Sequence, residues 1–216
     1  MIAWDQARRN DRPFPSRGGR GVRRSALVWL LALSGWLSPW CGARAGEAPA
    51  DFLHSKRCVR CDLRGVELGR AELGAALLSG SHLGGAALQG ANLRNARFFK
   101  ARLPKADLSG ANLQQAQMQE SDLSAVLLRG ADLRRASLEQ ANLEGADLTG
   151  ADLRHAALAG AFLKNATFVQ ADLRDAVLFG ANLTGADFSA AQLSGAYWFT
   201  GKRCRAGSVG RCDLGQ

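Results

Sequence analysis

Four cysteines are the residues best suited to chemistry in this chain, and they form two closely spaced pairs. Cys58 and Cys61 are separated by two residues, Cys204 and Cys212 lie near the C-terminus, and a fifth, Cys41, lies in the N-terminal segment. A Cys-x-x-Cys pair can form a structural disulfide, act as a redox-active dithiol or contribute to a metal site. Because four cysteines allow three pairings, the chemistry depends on where the two pairs lie in space.

Other motifs for catalysis or metal binding are weak. The three histidines, His54, His82 and His155, are distant in sequence, and we expect them to be isolated surface residues. The glycine-containing segment 195–202 departs from a phosphate-binding loop because no Ser or Thr follows Lys202. We therefore expect no enzyme activity, no cofactor and no metal site.

The first 45 residues have the features of an export signal. They contain eight arginines and two aspartates, so they carry most of the formal net charge of +9. Residues 26–38 form a short apolar run, and Ala43-Arg44-Ala45 follows it. A basic segment, a short apolar run and an Ala-x-Ala site are typical of a secretory signal peptide, and the run is too short to span a membrane. We expect residues 1–45 to be removed, leaving an exported protein with no membrane span.

The rest of the chain repeats every five residues from position 61 to position 200. Counted from Leu63, every fifth residue is Leu except at five places, which are Phe98, Met118, Phe168, Phe188 and Trp198. We call this position i; the residue at i−2 is nearly always Ala. A period of five matches neither the 3.6-residue helix nor the two-residue strand, so the chain must turn a corner in every unit.

This period separates inward from outward positions. Positions i−2 and i are apolar and are predicted to point inward, whereas positions i−1, i+1 and i+2 are rich in polar residues and glycine. Glycines such as Gly110 and Gly130 stand at i+2, where a tight corner favours a positive φ. A core of Ala and Leu is narrow and leaves no cavity for a substrate.

Several units, such as 131–134, 141–145 and 151–154, follow an Ala-Asp/Asn-Leu-x-Gly pattern. This pattern resembles the pentapeptide repeat proteins, and the resemblance covers residues 61–200. It implies the all-β fold of that family, a right-handed quadrilateral parallel β-helix with four units per coil. The 28 units then give about seven coils, and stacking at about 4.8 Å per coil gives a solenoid roughly 30–35 Å long.

Both ends of such a solenoid expose unpaired backbone and need caps. We expect residues 46–60 to cap the first coil, with Phe52 and Leu53 placed over it. We expect residues 201–216 to form the cap or tail at the other end.

The implied solenoid separates the two cysteine pairs by roughly 30 Å, whereas a disulfide needs Cα atoms within about 7 Å. Cross-pairing and a shared four-cysteine metal site are therefore excluded, which leaves Cys58–Cys61 and Cys204–Cys212. We expect structural disulfides, because an exported chain lies in an oxidising compartment, with a redox-active Cys58–Cys61 pair as the alternative. The segment 58–63 also resembles the Cys-x-x-Cys-Asp-Leu opening of exported bacterial members of the family, which favours a periplasmic or extracellular location.

Residues 20 apart share a face of the implied solenoid. The face that we call the ladder face consists of Asn92, Arg94, Asn112, Gln114, Asp132, Arg134, Asp152, Arg154, Asp172 and Arg174. The next face, which we call the apolar face, consists of Leu77, Phe99, Ala157, Ala159, Val177, Phe179, Tyr197 and Phe199, interrupted by polar residues. We predict that Val177, Phe179, Tyr197 and Phe199 bind a protein partner or form a homodimer, because exposed apolar patches mark interaction sites. The alternative is that the C-terminal tail covers them.

These features predict a non-catalytic, exported structural scaffold for protein–protein interaction. The resemblance also raises DNA mimicry, since some members of the family resemble an acidic duplex and inhibit topoisomerase. Residues 61–200 hold 13 basic and 14 acidic side chains, so the acidic surface of a mimic is missing and no nucleic-acid partner is expected. A redox role for Cys58 and Cys61 is the other alternative.

Overall fold

The computed structural model describes residues 48–49 and 51–214. The chain divides into the units Met1–Leu37 and Ser38–Gln216, and all of the described residues belong to the second unit. The predicted signal peptide, residues 1–45, lies outside the described residues. Within the described part, no helix is long or apolar enough to cross a membrane.

A single turn of helix, α1 (Phe52–Ser55), precedes the repeats. It ends at Lys56, whose positive φ lets its N–H donate to the Phe52 carbonyl. Phe52 is fully buried against the first coil, whereas Leu53 is 52% exposed. The expectation for Leu53 is therefore wrong: adjacent residues of a helix point about 100° apart, so only one of them faces the core.

The repeats coil with a period of 20 residues. Parallel β-bridges join each i−1 residue to the residue 20 positions later, from Arg57↔Leu77 to Val177↔Tyr197. Each bridge is one residue long, so the described part of the chain contains no extended strand. Twenty residues correspond to four five-residue units, so the chain forms the stacked coils of a β-helix.

The corners depend on the residue at i+2. Every fifth residue from Arg60 to Gly195 has a positive φ, whether it is a glycine such as Gly130 (φ 61°) or a larger residue such as Arg135 (φ 58°). This left-handed conformation is unfavourable for residues with a Cβ. From Arg60 to Gly180, each such residue also donates its N–H to the next coil, as Arg135 does to the Arg154 carbonyl at 3.0 Å, and this bond helps to offset the strain.

The core confirms the predicted inward positions. Leu at i and Ala at i−2 are almost completely buried along most of the stack, whereas Ala71, Leu183 and Ala186 near its ends are partly buried. Phe168 and Phe188 stack in parallel with ring centroids 4.8 Å apart, and Trp198 meets Phe188 edge-on at 5.2 Å. The aromatic rings thus fill the C-terminal end of the core.

The tail after Thr200 reverses direction. Antiparallel bridges join Tyr197 to Arg203 and Gln192 to Val209, so the tail lies across part of the last coil. Cys204 is buried there, and its N–H donates to the Ala196 carbonyl at 2.8 Å.

Candidate interaction surfaces

The two cysteine pairs lie at opposite ends of the repeats. The Cα atoms are 5.4 Å apart in Cys58–Cys61 and 5.0 Å apart in Cys204–Cys212, both within disulfide distance. Cys58 and Cys61 are buried, and the Ser81 hydroxyl links them by donating to the Cys58 carbonyl and accepting from the Cys61 N–H. Thiol exchange requires an accessible sulfur, so this burial favours a structural pair over a redox-active one.

The histidines do not come together. His54, His82 and His155 are all exposed, and they occupy different parts of the fold. No group of three or more His, Cys, Asp or Glu within residues 48–49 and 51–214 is arranged to hold a metal ion.

The ladder face pairs its charges along the axis of the coils. Arg134 binds Asp132 of its own unit at 2.7 Å and approaches Asp152 of the next coil at 3.5 Å. Arg154 repeats this arrangement with Asp152 at 2.7 Å and Asp172 at 3.5 Å. Opposite charges therefore alternate in an ion-pair network that continues through three coils.

The pKa values of this face reflect the pairing. Hydrogen bonds from Arg134 lower the pKa of Asp132 to about 2. Burial alone would raise the pKa of Asp172, but hydrogen bonds and charge from Arg174 outweigh it, so that pKa also lies below its usual value. These carboxylates stay ionised and neutralised by arginine, so the face does not present a continuous row of negative charge.

The C-terminal part of the apolar face stays exposed. Phe179 is 60% exposed, Tyr197 45% and Phe199 44%, and Val177 is half-buried between them. We call these four residues the apolar patch. Val177 and Tyr197 are paired by a parallel bridge, so the patch continues from one coil to the next.

The tail contacts the apolar patch without covering it. The Arg203 guanidinium lies 5.5 Å from the centre of the Tyr197 ring and binds Asp175 at 2.8 Å. Gly201 lies against one edge of the Phe179 ring, and yet most of that ring is exposed. The alternative in which the tail covers these residues is therefore wrong, because the tail pairs with the end of the last coil and not with its side.

Two features of the surface were not predicted from the sequence. Phe162 is 53% exposed on a different face, between the polar residues Asn142 and Asn182 of the neighbouring coils. Its i−1 position marks it as an outward aromatic residue, so the period itself could have found it. In addition, some backbone N–H groups of residues 181–190 meet no acceptor within the described residues, and this depends on the path of the tail.

Comparison with known proteins bears directly on this repeat. The family model for pentapeptide repeats matches the chain in eight copies, covering residues 57–95, 76–115, 91–130, 127–165 and 156–195. The chain belongs to the pentapeptide repeat family. No curated protein sequence matches it.

Several solved structures of pentapeptide repeat proteins are similar to this chain. QnrB1, a plasmid-mediated fluoroquinolone resistance protein, is 22% identical with a TM-score of 0.52, over 66% of this chain and 69% of its own. HetL of the cyanobacterium Nostoc sp. strain PCC 7120, involved in heterocyst differentiation regulation, is 33% identical with a TM-score of 0.33, over 68% of this chain and 84% of its own. A protein of the Arabidopsis thaliana thylakoid lumen is 26% identical with a TM-score of 0.43, over 50% of this chain and 81% of its own. The likeness to QnrB1 supports the β-helix fold.

Proposed function

We propose that this pentapeptide repeat protein is a non-catalytic, exported scaffold that binds protein through the apolar patch. The observation that carries the proposal is the exposure of Phe179, Tyr197 and Phe199 side by side, on a fold whose ladder face pairs its own charges. Removing such a patch from water is the main source of association free energy in protein interfaces. The first candidate partner is a second copy of the chain, related by two-fold symmetry.

The proposed scaffold has the geometry that its family implies. Its coils are right-handed and quadrilateral, and the 28 units form about seven of them, with residues 46–60 and 201–216 as caps. The 20-residue spacing of the bridges supports four units per coil. The filled core supports a non-catalytic role, because the Leu and Ala side chains leave no internal space for a substrate.

The proposal of export is based on residues 1–45 and on the cysteine pairs. The basic segment, the apolar run and Ala43-Arg44-Ala45 support cleavage before Gly46. Two cysteine pairs at disulfide distance support an oxidising, periplasmic or extracellular compartment. Intact mass spectrometry should show a chain that begins near Gly46 and gains four hydrogen atoms on reduction. A chain that keeps residues 1–45 would contradict export.

DNA mimicry is not supported as the function. A mimic needs a continuous acidic surface, whereas Asp132, Asp152 and Asp172 are each paired with an arginine. The likeness to QnrB1 concerns the fold alone.

The variant pair Phe179→Asp with Phe199→Asp tests binding through the patch. Static light scattering should show a dimer for the full chain and a folded monomer for this double variant. Val169→Asp with Ser189→Asp is the matched control, because these residues occupy the same i+1 positions of the same two coils on another face. A wild-type monomer, or a control that dissociates equally, would contradict the proposal.

A further inference from the structure

In half of the last coil, the N–H groups that point toward the C-terminal end meet no acceptor within the described residues. In the coil before it, Leu163, Asn165, Phe168 and Gln170 each donate their N–H to a carbonyl of residues 182–189. The equivalent donors one coil later are the N–H groups of Leu183, Gly185, Phe188 and Ala190, and no acceptor within the described residues meets them. We call residues 181–190 the open edge.

The tail covers the other half of the same coil. Leu193 and Gly195 donate to the Ser208 and Cys204 carbonyls, at 2.9 and 3.1 Å. Gly210 donates to the Ala191 carbonyl, which brings the tail close to Ala190 at the boundary of the open edge. The tail then turns back, and the Arg205 N–H bonds to the Asp213 carbonyl.

The open edge has more donors than acceptors. In each unit, the N–H groups of residues i and i+2 point toward the C-terminal end of the repeats. Among the carbonyls that bond between coils, only the carbonyl of residue i−2 points toward that end. The open edge therefore offers four N–H groups against the Ala181 and Ala186 carbonyls. An ordinary extended strand presents donors and acceptors in equal number, so pairing with one would leave about two N–H groups for other acceptors.

The same imbalance gives the coils a net dipole. Two of the peptides in each unit point one way along the axis and one points the other way, which leaves one aligned dipole per unit. With about 3.5 D per peptide, four units per coil and a rise of about 4.8 Å, the C-terminal end carries a charge of about +0.6. The positive end is thus at the C-terminus, the reverse of an α-helix.

The side chains of the tail add to this positive potential. Residues 201–214 contain Lys202, Arg203, Arg205 and Arg211 against Asp213, a net charge of +3. Asp175, which binds Arg203 at 2.8 Å, reduces this net charge to +2. The edge itself contains the carboxylate of Asp187, which accepts hydrogen bonds from the Ser189 N–H and hydroxyl. The positive charge of this end therefore outweighs its negative charge.

A second copy of the chain fits the open edge poorly. Two-fold pairing would bring surplus donors against surplus donors. In head-to-tail stacking, residues 56–60 of one copy would meet the tail of the other. Arg57 bridges Leu77 on the N-terminal side of the repeats, and Arg203 bridges Tyr197 on the C-terminal side, so the two segments would occupy the same space.

We propose that the open edge binds an extended, acidic segment of a partner protein as an added strand. Its backbone pairs with residues 181–190, and its carboxylates accept the surplus N–H groups and face the cations of the tail. This site is separate from the apolar patch, so either proposal can fail without the other.

Amide hydrogen exchange of the full chain, followed by NMR, tests the site. In dilute protein, the amides of Leu183, Gly185, Phe188 and Ala190 should exchange at least about a hundredfold faster than their bonded equivalents one coil earlier. The probe is the acetylated and amidated peptide (Glu-Val)5, with (Lys-Val)5 as its charge-reversed control. The acidic peptide should shift and slow these four amides, and the basic peptide should not.

Charge variants test the acidic preference. Lys202→Glu with Arg211→Glu should weaken (Glu-Val)5 binding roughly tenfold. Arg94→Glu with Arg135→Glu makes the same charge change far from the edge and should leave binding unchanged. Three results would overturn the proposal: amides already protected in dilute protein, protection that grows with protein concentration alone, or peptide binding that leaves the four amides unaffected.

Discussion

The ladder face and the apolar face belong to the same backbone and core, but they differ in how far their outward side chains are paired within the chain. On the ladder face, Arg134 and Arg154 each bind the aspartate of their own unit and approach the aspartate of the next coil, so these charges are met within the chain. On the apolar face, Phe179 and Phe199 stand on successive coils and are 60% and 44% exposed. The repeat thus specifies the solenoid, whereas the outward residues decide where it can bind.

The difference between the faces is concentrated in the last coils. The first coils of the apolar face carry polar residues and an ion pair, Lys100–Glu120, at 3.2 Å. From Ala157 onward its i−1 and i+1 residues are apolar. A change from polar to apolar within one face indicates a local binding surface and not a general property of the repeat.

The largest expected effect comes from the core that both faces share. Ala86→Leu places a large side chain where Ala86 is fully buried, and it should destabilise the protein by about 1–3 kcal/mol or more. Ala87→Leu is the matched control at the adjacent outward position, where Leu127 occurs two coils later on the same face. Urea unfolding compares the two, and equal losses of stability would contradict the assigned inward and outward positions.

A smaller effect should appear on the ladder face in acid. The folded pKa of Asp132 is about 2, below the value of about 3.9 expected in the unfolded chain. The ionised Asp132 carboxylate therefore contributes fully to the free energy of unfolding above about pH 4, and this contribution is lost as the pH falls toward 2. After allowance for solvent screening we expect about 1 kcal/mol. Urea unfolding of wild type and Asp132→Asn should differ at pH 7 and converge near pH 2; a constant difference would contradict this.

The smallest effect concerns a single arginine of the ladder face. Arg154→Gln should cost no more than about 0.5–1 kcal/mol, because a glutamine can still bond to the next aspartate, as Gln114 does to Asp132 at 2.6 Å. High salt should shrink the loss. Arg102→Gln, on an exposed arginine without an ion pair in the described part of the chain, is the control and should be nearly neutral.

Much of the fold could be predicted because the five-residue period fixes which residues point inward. It even identifies the unusual core residues, such as Ser121, whose hydroxyl is satisfied by the Met118 carbonyl at 2.6 Å. The period stops at Thr200, and with it the basis for prediction. The antiparallel path of the tail depends on contacts such as Cys204 with Ala196, which no local pattern encodes.

For the candidate surfaces, the sequence could predict the face on which each residue lies but not its exposure or its contacts. The period places Phe179 and Phe199 on one face, but their exposure depends on where the tail goes. Likewise, it places Arg134 beside Asp132, while the approach of Arg134 to Asp152 depends on a side-chain conformation. The open edge can be recognised only when the hydrogen bonds of the whole last coil are known, so the sequence alone could not show it.

Hydroxyl-radical footprinting of the full chain tests the role of the apolar patch most directly. Phe179 and Phe162 are 60% and 53% exposed on different faces, so they should be oxidised to a similar extent in dilute protein. At concentrations where the protein self-associates, the account predicts that oxidation of Phe179 falls while oxidation of Phe162 does not change. Equal oxidation of both residues at every concentration would contradict a binding role for the apolar patch in self-association.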